Sequence, residues 1–490
     1  MSERDNYFTE DPITGTDPVQ INSEIGVNLR ARKSVISRRD VLKLGAASLA
    51  GLVGCSRTGR KLMDAGEELA KATATPDWIE DLEKRKLEAT QAAQQSAQAV
   101  DADKASTPES RAQEGRYSEL FDTPETGHYN PEALKKWENL EQQPALNENL
   151  GITILPSKYM GREGSIAWHA KVAAALGFQS VAIPISPREF VDHTGITTAD
   201  TSSLDKLLEY EEFDSVFTDP RLKRIHITAD VGGSSANAWQ ISQKSELSSE
   251  SLQNTYEEVK RAAEYILNRW GHLGKEIIFG ASNEIELHAK GGYRPETEDA
   301  DVSPHAKQNA IAYLNTVFSA VHDVNASYPS KKALKTSVEV LQIRQEFERD
   351  ALTGLDIVSA LERVPDEVTL SAWQFSAKAQ GGYWPGKAIE LIKKSVPGVT
   401  AAITEYGIAD ADRSDLNRHE VADMMKKDIE SALEAGAEYV TVWGLTGFNA
   451  ERINPDNNEL RGLGLIRPDG SIRKEVYNML RNMSGIEEIA

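Results

Sequence analysis

The sequence from about residue 146 to residue 490 predicts a (β/α)8 barrel, and two observations lead to this fold class. Eight short apolar runs alternate with amphipathic, helix-like segments over about 340 residues, the usual length of such a barrel with loop insertions. No glycine-rich phosphate-binding loop follows the first run, which argues against the alternative, a doubly wound open sheet as in a two-lobed solute-binding protein. Eight strands, each followed by a helix, favour a closed sheet.

Each predicted strand is a short apolar run, and each predicted helix has its apolar residues on one face. The predicted strands are Gly151–Leu155, Ser180–Ile185, Arg224–Ala229, Glu276–Ala281, Leu334–Leu341, Glu367–Trp373, Val399–Thr404 and Tyr439–Trp443. The predicted helices are Ile166–Leu176, Leu252–Trp270, Ala306–Val324, Ala388–Lys394, Val421–Ala435 and Lys474–Met483.

The first 55 residues have the pattern of an export signal. A basic stretch at 30–39 precedes an apolar run, Val41–Val53, that is too short to span a bilayer. Residues 37–43, Ser-Arg-Arg-Asp-Val-Leu-Lys, closely resemble the twin-arginine export consensus, and residues 52–55, Leu-Val-Gly-Cys, resemble a lipobox. Because these features and the only cysteine occur in this order, we expect a twin-arginine signal with lipidation at Cys55 rather than an ordinary amphipathic helix with a chance arginine pair.

This signal predicts where the chain works and what it meets there. The twin-arginine translocase is the expected partner during export, and a diacyl lipid on Cys55 is expected to anchor the chain stably to the outer face of the cytoplasmic membrane. Residues 56–145, rich in Ala, Glu, Gln, Lys, Ser and Thr, are predicted to form a low-complexity spacer before the barrel domain at 146–490. A single cysteine excludes an internal disulfide and a thiolate metal cluster.

The charge of the chain limits its partners. It has 55 basic and 76 acidic residues, a formal net charge of −21. Such an acidic excess argues against a surface that binds nucleic acid, whose phosphates are also negative. It fits a well-solvated exported domain.

Two glutamates follow predicted strands on opposite sides of the expected barrel. Glu284 follows strand four in the run Ile-Ile-Phe-Gly-Ala-Ser-Asn-Glu, and Glu405 follows strand seven in Thr-Glu-Tyr-Gly. Catalytic groups of such barrels lie at the carboxyl ends of the strands, so both carboxyls are expected at one mouth. Paired carboxyls perform glycoside hydrolysis, in which one donates a proton and the other attacks the anomeric carbon or positions water.

These motifs resemble those of the clan A glycoside hydrolases over about residues 150–485. By that resemblance Asn283 holds the 2-hydroxyl of a sugar, Glu284 is the acid/base, Glu405 is the nucleophile and Trp443, at the end of strand eight, forms the floor of the sugar site. The closing segment 462–470, Gly-Leu-Gly-Leu-Ile-Arg-Pro-Asp-Gly, is also similar. We therefore expect a glycoside hydrolase for β-linked poly- or oligosaccharides, and a carboxyl separation of roughly 5–5.5 Å would imply retention. We expect no cofactor and no metal.

The chain departs from the clan at two places. Clan members usually have an arginine at the end of strand two, where this chain has only Arg188 nearby, and often His and Tyr around strand six, where it has Ser-Ala-Trp-Gln-Phe at 371–375. Further substrate-binding candidates are His226 near the end of strand three, Tyr406 beside Glu405, and Trp373, whose ring is suited to stacking on a sugar.

Two other functions stay open on the sequence alone. A barrel that has lost activity would be a carbohydrate-binding lipoprotein. Alternatively, Glu284, Glu286 and His288, spaced by two, would share one side of an extended segment and bind a divalent metal, as in metal-dependent barrel enzymes. No other strand end offers a histidine-rich partner set for such a metal.

Overall fold

A computed structural model describes the barrel portion of the chain. The described residues are 118–121, 123, 130–154, 165–187, 190–191, 196–229, 241–242, 246–290, 304–341, 354–372, 384–408, 416–446, 463–467 and 469–489. They all belong to the compact unit Thr107–Ala490. The predicted signal, Cys55 and most of the predicted spacer lie outside them.

Eight parallel strands close into a barrel in the order of the sequence, β1 to β8, with β1 paired to β8. The strands are β1 (Leu150–Thr153), β2 (Ser180–Ile185), β3 (Arg224–Ala229), β4 (Glu276–Gly280), β5 (Lys335–Val340), β6 (Glu367–Ser371), β7 (Thr400–Tyr406) and β8 (Val440–Val442). The predicted fold class is therefore confirmed, and every predicted strand matches an observed one with ends that differ by at most two residues.

Helices surround the barrel and connect successive strands. The α-helices of the described residues are α1 (Ser118–Phe121), α2 (Pro131–Lys136), α3 (Ile166–Ala175), α4 (Leu204–Leu208), α5 (Glu212–Thr218), α6 (Ser249–Trp270), α7 (Ile285–Ala289), α8 (Pro304–Ser327), α9 (Gly354–Val358), α10 (Trp384–Ser395), α11 (Arg418–Glu434) and α12 (Lys474–Met483). Local sequence sets several of their starts: Asn417 and Glu420, for example, form a reciprocal capping box at the start of α11. Among the described residues, no helix is long and apolar enough to cross a membrane.

Two apolar clusters show which face of each strand points inward. The large cluster packs the outer faces of the strands against the helices and includes Val338, Val340 and Ile403. A small separate cluster of Ile278, Ala402 and Tyr439 lies inside the barrel. Because successive side chains of a strand point to opposite faces, these clusters fix the inward positions of β4, β5 and β7.

The segment before β1 packs on the barrel domain. Trp137 is buried, and its indole N–H donates to the carbonyl of Gly470 at 2.9 Å. Phe121 stacks on Tyr477 of α12 with ring centroids 5.8 Å apart. The predicted limits at 55, 145 and 490 stay predictions, but at least these residues, which precede 146, contribute to the hydrophobic core of the barrel domain.

Charged residues fill the interior at the amino-terminal end of the barrel. Arg224, Glu276, Lys335 and Glu367 are the first residues of β3, β4, β5 and β6. Glu276 accepts from Arg224 at 2.7 Å and contacts Lys335 at 2.5 Å, and Lys335 also donates to the fully buried Glu367 at 3.0 Å. These charges are paired with one another and lie at the end opposite the carboxyl ends of the strands, so they are not part of the candidate site.

Candidate active site

Three carboxylates meet at the carboxyl-terminal mouth of the barrel. One oxygen from each of Glu284, Glu339 and Glu405 lies within 4.8 Å of the other two. Glu284 follows β4, Glu339 is the fifth residue of β5, and Glu405 is the sixth residue of β7. The structure thus brings together the two glutamates selected from the sequence and adds a third, Glu339, that sequence reasoning missed.

Glu284 has an unusual backbone conformation. It has φ 49° and ψ 65°, in the left-handed region, and it is the only non-glycine residue with positive φ among those the structure describes. A residue with a Cβ atom in this region costs about 1–2 kcal/mol, and such conformations cluster at functional sites. This conformation forms the sharp turn between β4 and α7 that places the Glu284 carboxyl beside the other two.

The left-handed conformation predicts that a glutamate at position 284 lowers the free energy of unfolding of the folded chain. We expect Glu284→Asn to be more stable than Glu284→Gln by about 0.5–1 kcal/mol, because asparagine tolerates the left-handed region better. Both substitutions replace the carboxyl group with a neutral amide and differ by one methylene, so their difference reports chiefly on the backbone conformation. Thermal unfolding of the two variants at one pH measures it, and equal midpoints would show that the backbone of Glu284 is not strained.

A β-bulge directs Glu405 into the barrel. In the pairing of β6 with β7, Leu370 is opposite Ile403 but the next residue, Ser371, is opposite Glu405, so Thr404 is the extra residue. Since Ile403 packs on the outer face, strict alternation would place Glu405 outside as well. The bulge instead lets Thr404 and Glu405 both point inward, and the Ser371 hydroxyl donates to the Glu405 carboxylate at 3.0 Å.

Glu339 is buried inside the barrel and is shielded from solvent. It is 2% exposed, and the Thr404 hydroxyl donates to its Oε2. Its Oε1 is buried and has no hydrogen-bond partner among the described residues. Burial, followed by the charges of Glu405 and Glu284, raises the pKa of Glu339 well above its ordinary value of 4.5.

A signal for Glu339 exists in the sequence. In β5, Lys335, Ser337 and Glu339 alternate with Thr336, Val338 and Val340. A central barrel strand is buried on both faces, so its polar residues at a spacing of two point into the barrel. A charged residue near the carboxyl end of such a strand is therefore a candidate for the site.

Two predicted substrate-binding residues lie near the paired carboxylates. Asn283 directly precedes Glu284, and its Oδ1 is buried without a hydrogen-bond partner among the described residues. Trp443 is half-buried just after β8, where its backbone N–H donates to the carbonyl of Tyr406 at 2.8 Å. Their roles in binding a sugar stay predictions.

Two other predicted binding residues are placed elsewhere. Tyr406 is fully buried on the outer face of β7, and its hydroxyl donates to Asp428 of α11 at 2.9 Å. Tyr406 follows the bulge and points away from the mouth, so its predicted role as a substrate-binding residue is wrong. Trp373 lies outside the described residues.

His226 occupies the barrel interior below the strand ends. It is buried at the third position of β3, with Nε2 2.8 Å from the Ser337 hydroxyl. Burial and the charge of Arg224 lower the pKa of His226 to about 3, so it is neutral at physiological pH. His226 was predicted to contact the substrate. Its side chain instead lies inside the barrel against Ser337, because it is the third of the six residues of β3 and is therefore distant from the carboxyl end of the strand.

The metal site predicted on one side of an extended segment is also corrected. Residues 285–289 form helix α7, in which residues two apart do not share a face. Glu286 is buried and accepts the backbone N–H of Leu341 at 2.6 Å, and His288 Nδ1 lies 2.8 Å from the Ser282 hydroxyl. These two side chains fix α7 against β5 and the end of β4.

Comparison with known proteins returns structures of similar fold. No protein-family model and no curated protein matches the sequence. Among solved structures, GH5_18 from Streptomyces cattleya in complex with GlcNAc has 12% identity and a TM-score of 0.47, covering 70% of this chain and 81% of that chain. A β-glycosidase from Thermosphaera aggregans has 13% identity and a TM-score of 0.41, covering 67% and 89%. At these values the assignment of the fold rests on the strand pairing of the chain itself.

Proposed function

We propose that the chain is a retaining glycoside hydrolase that cleaves β-linked poly- or oligosaccharides. The observation that supports this most strongly is the distance of at most 4.8 Å between an oxygen of Glu284 and one of Glu405. Retaining enzymes hold their two carboxyls about 5–5.5 Å apart, whereas inverting enzymes leave about 6.5–9.5 Å for a water molecule. An oxygen–oxygen distance of at most 4.8 Å fits the first arrangement better than the second.

In the first step of the proposed mechanism, a Glu405 oxygen attacks the anomeric carbon. The bond to the leaving oxygen breaks as Glu284 donates its proton to that oxygen, and Glu405 becomes a glycosyl ester. The Ser371 hydroxyl and the bulge at Thr404 hold the Glu405 carboxylate in a fixed orientation for this attack.

In the second step, Glu284 acts as the base. It takes a proton from water, the water oxygen bonds to the anomeric carbon, and the ester bond to Glu405 breaks. Two inversions give net retention, and Glu284 and Glu405 regain their initial protonation states. The Asn283 amide would bond to a sugar hydroxyl and the half-buried Trp443 would support the apolar face of the ring.

The assay that tests this function uses the chain and a panel of β-linked oligosaccharides. We expect release of sugar with the β-anomer formed first, followed by ordinary mutarotation, both visible by NMR. Unaltered sugar with measurable binding would instead support the carbohydrate-binding alternative. An α-anomer formed first would exclude retention.

We also propose that the chain is exported and held at the outer face of the cytoplasmic membrane by lipid on Cys55. The arginine pair, apolar run and lipobox in residues 37–55 support this. An extracellular polymer is then the natural substrate.

The anchor predicts a change in fractionation. We expect the unaltered chain in the membrane fraction and Cys55→Ala in the soluble exported fraction, because the variant lacks the thiol that takes the lipid. Immunoblots of the fractions measure this, with Ser56→Ala as a matched control that should stay with the membrane. Equal partition of Cys55→Ala and the unaltered chain would argue against lipidation.

A further inference from the structure

The third carboxyl of the site, Glu339, has a role that the two-carboxylate mechanism leaves unassigned. Thr404 donates to its Oε2, and Oε1 is buried without a hydrogen-bond partner among the described residues. Its partner in register on β6, Thr369, gives its hydroxyl to the carbonyl of Val338 instead. The neighbours of Glu339 within 4.8 Å that could share a proton with it are carboxyl oxygens of Glu284 and Glu405.

A carboxylate oxygen only accepts hydrogen bonds, so with Glu339 ionised the one donor that the three carboxyls offer to Oε1 is the proton of Glu284, which the proposed reaction gives to the leaving oxygen. A carboxylic acid has a proton to give. We propose that Glu339 is a positioning residue that stays a neutral carboxylic acid through the reaction, with Thr404 donating to Oε2 and its own O–H on Oε1 directed to the catalytic carboxylates. The effect of Glu339 on activity rests on the proposed function, whereas the protonation state of Glu339 does not.

The groups around Glu339 favour the neutral acid. The charged side chains that act on it are all acidic, Glu405 from β7 and Glu284 and Glu286 from the segment after β4. With burial, they raise the pKa of Glu339, and only the hydrogen bond from Thr404 opposes them. Like charges this close do not all ionise, and burial favours the neutral form of Glu339, the least exposed of the three carboxyls.

The neutral acid suits both steps of the proposed reaction. Before the attack, the three carboxyls of Glu284, Glu339 and Glu405 together have one negative charge, on Glu405, and the O–H group of Glu339 is directed to the Glu405 carboxylate as a donor. After the attack, Glu405 is an uncharged ester and Glu284 has the negative charge, so the three groups together again have one negative charge. The proton on Glu339 does not move, and an ionised Glu339 would double the negative charge in both states.

Protonation of Glu339 is tested without any sugar, by thermal unfolding of the whole chain and its Glu339→Gln variant from pH 5 to pH 8. The folded state keeps a proton on Glu339 that the unfolded state loses above about pH 4.5, so the contribution of Glu339 to stability falls as pH rises through this window. Glutamine has no such proton. We expect the midpoint of Glu339→Gln, relative to the unaltered chain, to rise steadily with pH, whereas the exposed control Glu390→Gln shows no such trend. A constant difference would overturn the proposal.

Activity gives the second readout. Glutamine copies the neutral acid as a donor, so we expect Glu339→Gln to keep kcat within about tenfold and Glu339→Met, which has similar size and no donor, to lose about 10²-fold. Equal losses in both variants would overturn the positioning role. If the unaltered chain cleaves no glycoside, the proposed function fails while the unfolding series still decides the protonation of Glu339.

A divalent cation is the competing occupant of three carboxylates. We therefore repeat the unfolding at pH 7 with Ca²⁺, Mg²⁺ or Mn²⁺ added alone. A proton at Glu339 predicts no midpoint shift specific to the unaltered chain. A rise in the unaltered chain that Glu339→Gln lacks would overturn the proposal in favour of a cation site.

Discussion

In Glu405→Ala, we expect kcat for a β-linked oligosaccharide to fall roughly 10⁵-fold, the scale of losing a covalent nucleophile. The expectation follows from the geometry, since the bulge of β7 and the Ser371 hydroxyl fix this carboxylate within 4.8 Å of Glu284. Steady-state kinetics of the variant and the unaltered chain measure the loss. Glu390→Ala, at an exposed position of α10, is the matched control and should keep full activity.

Loss of activity alone does not identify a nucleophile, so the same variant is assayed with azide. The space left by the carboxylate admits a small anion, which attacks the anomeric carbon while Glu284 still protonates the leaving oxygen. We expect an α-glycosyl azide, because one displacement inverts the β-configuration. If the variant without azide kept activity within tenfold of the unaltered chain, or if the product with azide were the β-glycosyl azide, Glu405 would not be the group that attacks the sugar.

The sequence predicted the barrel well because its signals are local. The observed strands have three to seven residues, and each coincides with a short apolar run that lies between amphipathic segments, so all eight strands were located from the sequence. Glu284 and Glu405 were found for a related reason, since Glu284 lies four residues after the end of β4 and Glu405 is the sixth of the seven residues of β7. Position along the chain then determines position at the mouth.

The errors of sequence reasoning concern the direction of side chains. Tyr406 was expected beside Glu405 in the site, but alternation after the bulge at Thr404 turns it outward to Asp428. A bulge depends on the register of the neighbouring strand, which is not a local signal. Glu339 was missed although the alternation in β5 indicates that it points inward, because its closeness to Glu284 and Glu405 depends on the register of β5 with β4 and β6 in the closed barrel.

Glu284→Ala gives the second large effect, and its size should depend on the leaving group. For a natural oligosaccharide, whose leaving alkoxide needs a proton, we expect the rate of the first step to fall about 10³–10⁴-fold. For a dinitrophenyl β-glycoside, whose phenolate leaves unprotonated, that step should be nearly unchanged. Rapid-mixing kinetics separate the two, with Glu284→Gln as a variant of similar size that also cannot donate a proton.

The second step in Glu284→Ala should then limit turnover, because no base activates water. We expect a burst of dinitrophenolate followed by a slow steady rate, and acceleration by azide to give a β-glycosyl azide through two inversions. This outcome is opposite to that of Glu405→Ala, so the pair of variants assigns the two carboxyls independently. An equal loss for both leaving groups would contradict the acid role of Glu284. An α-azide would come from a single displacement and would show that Glu284, rather than Glu405, is the nucleophile.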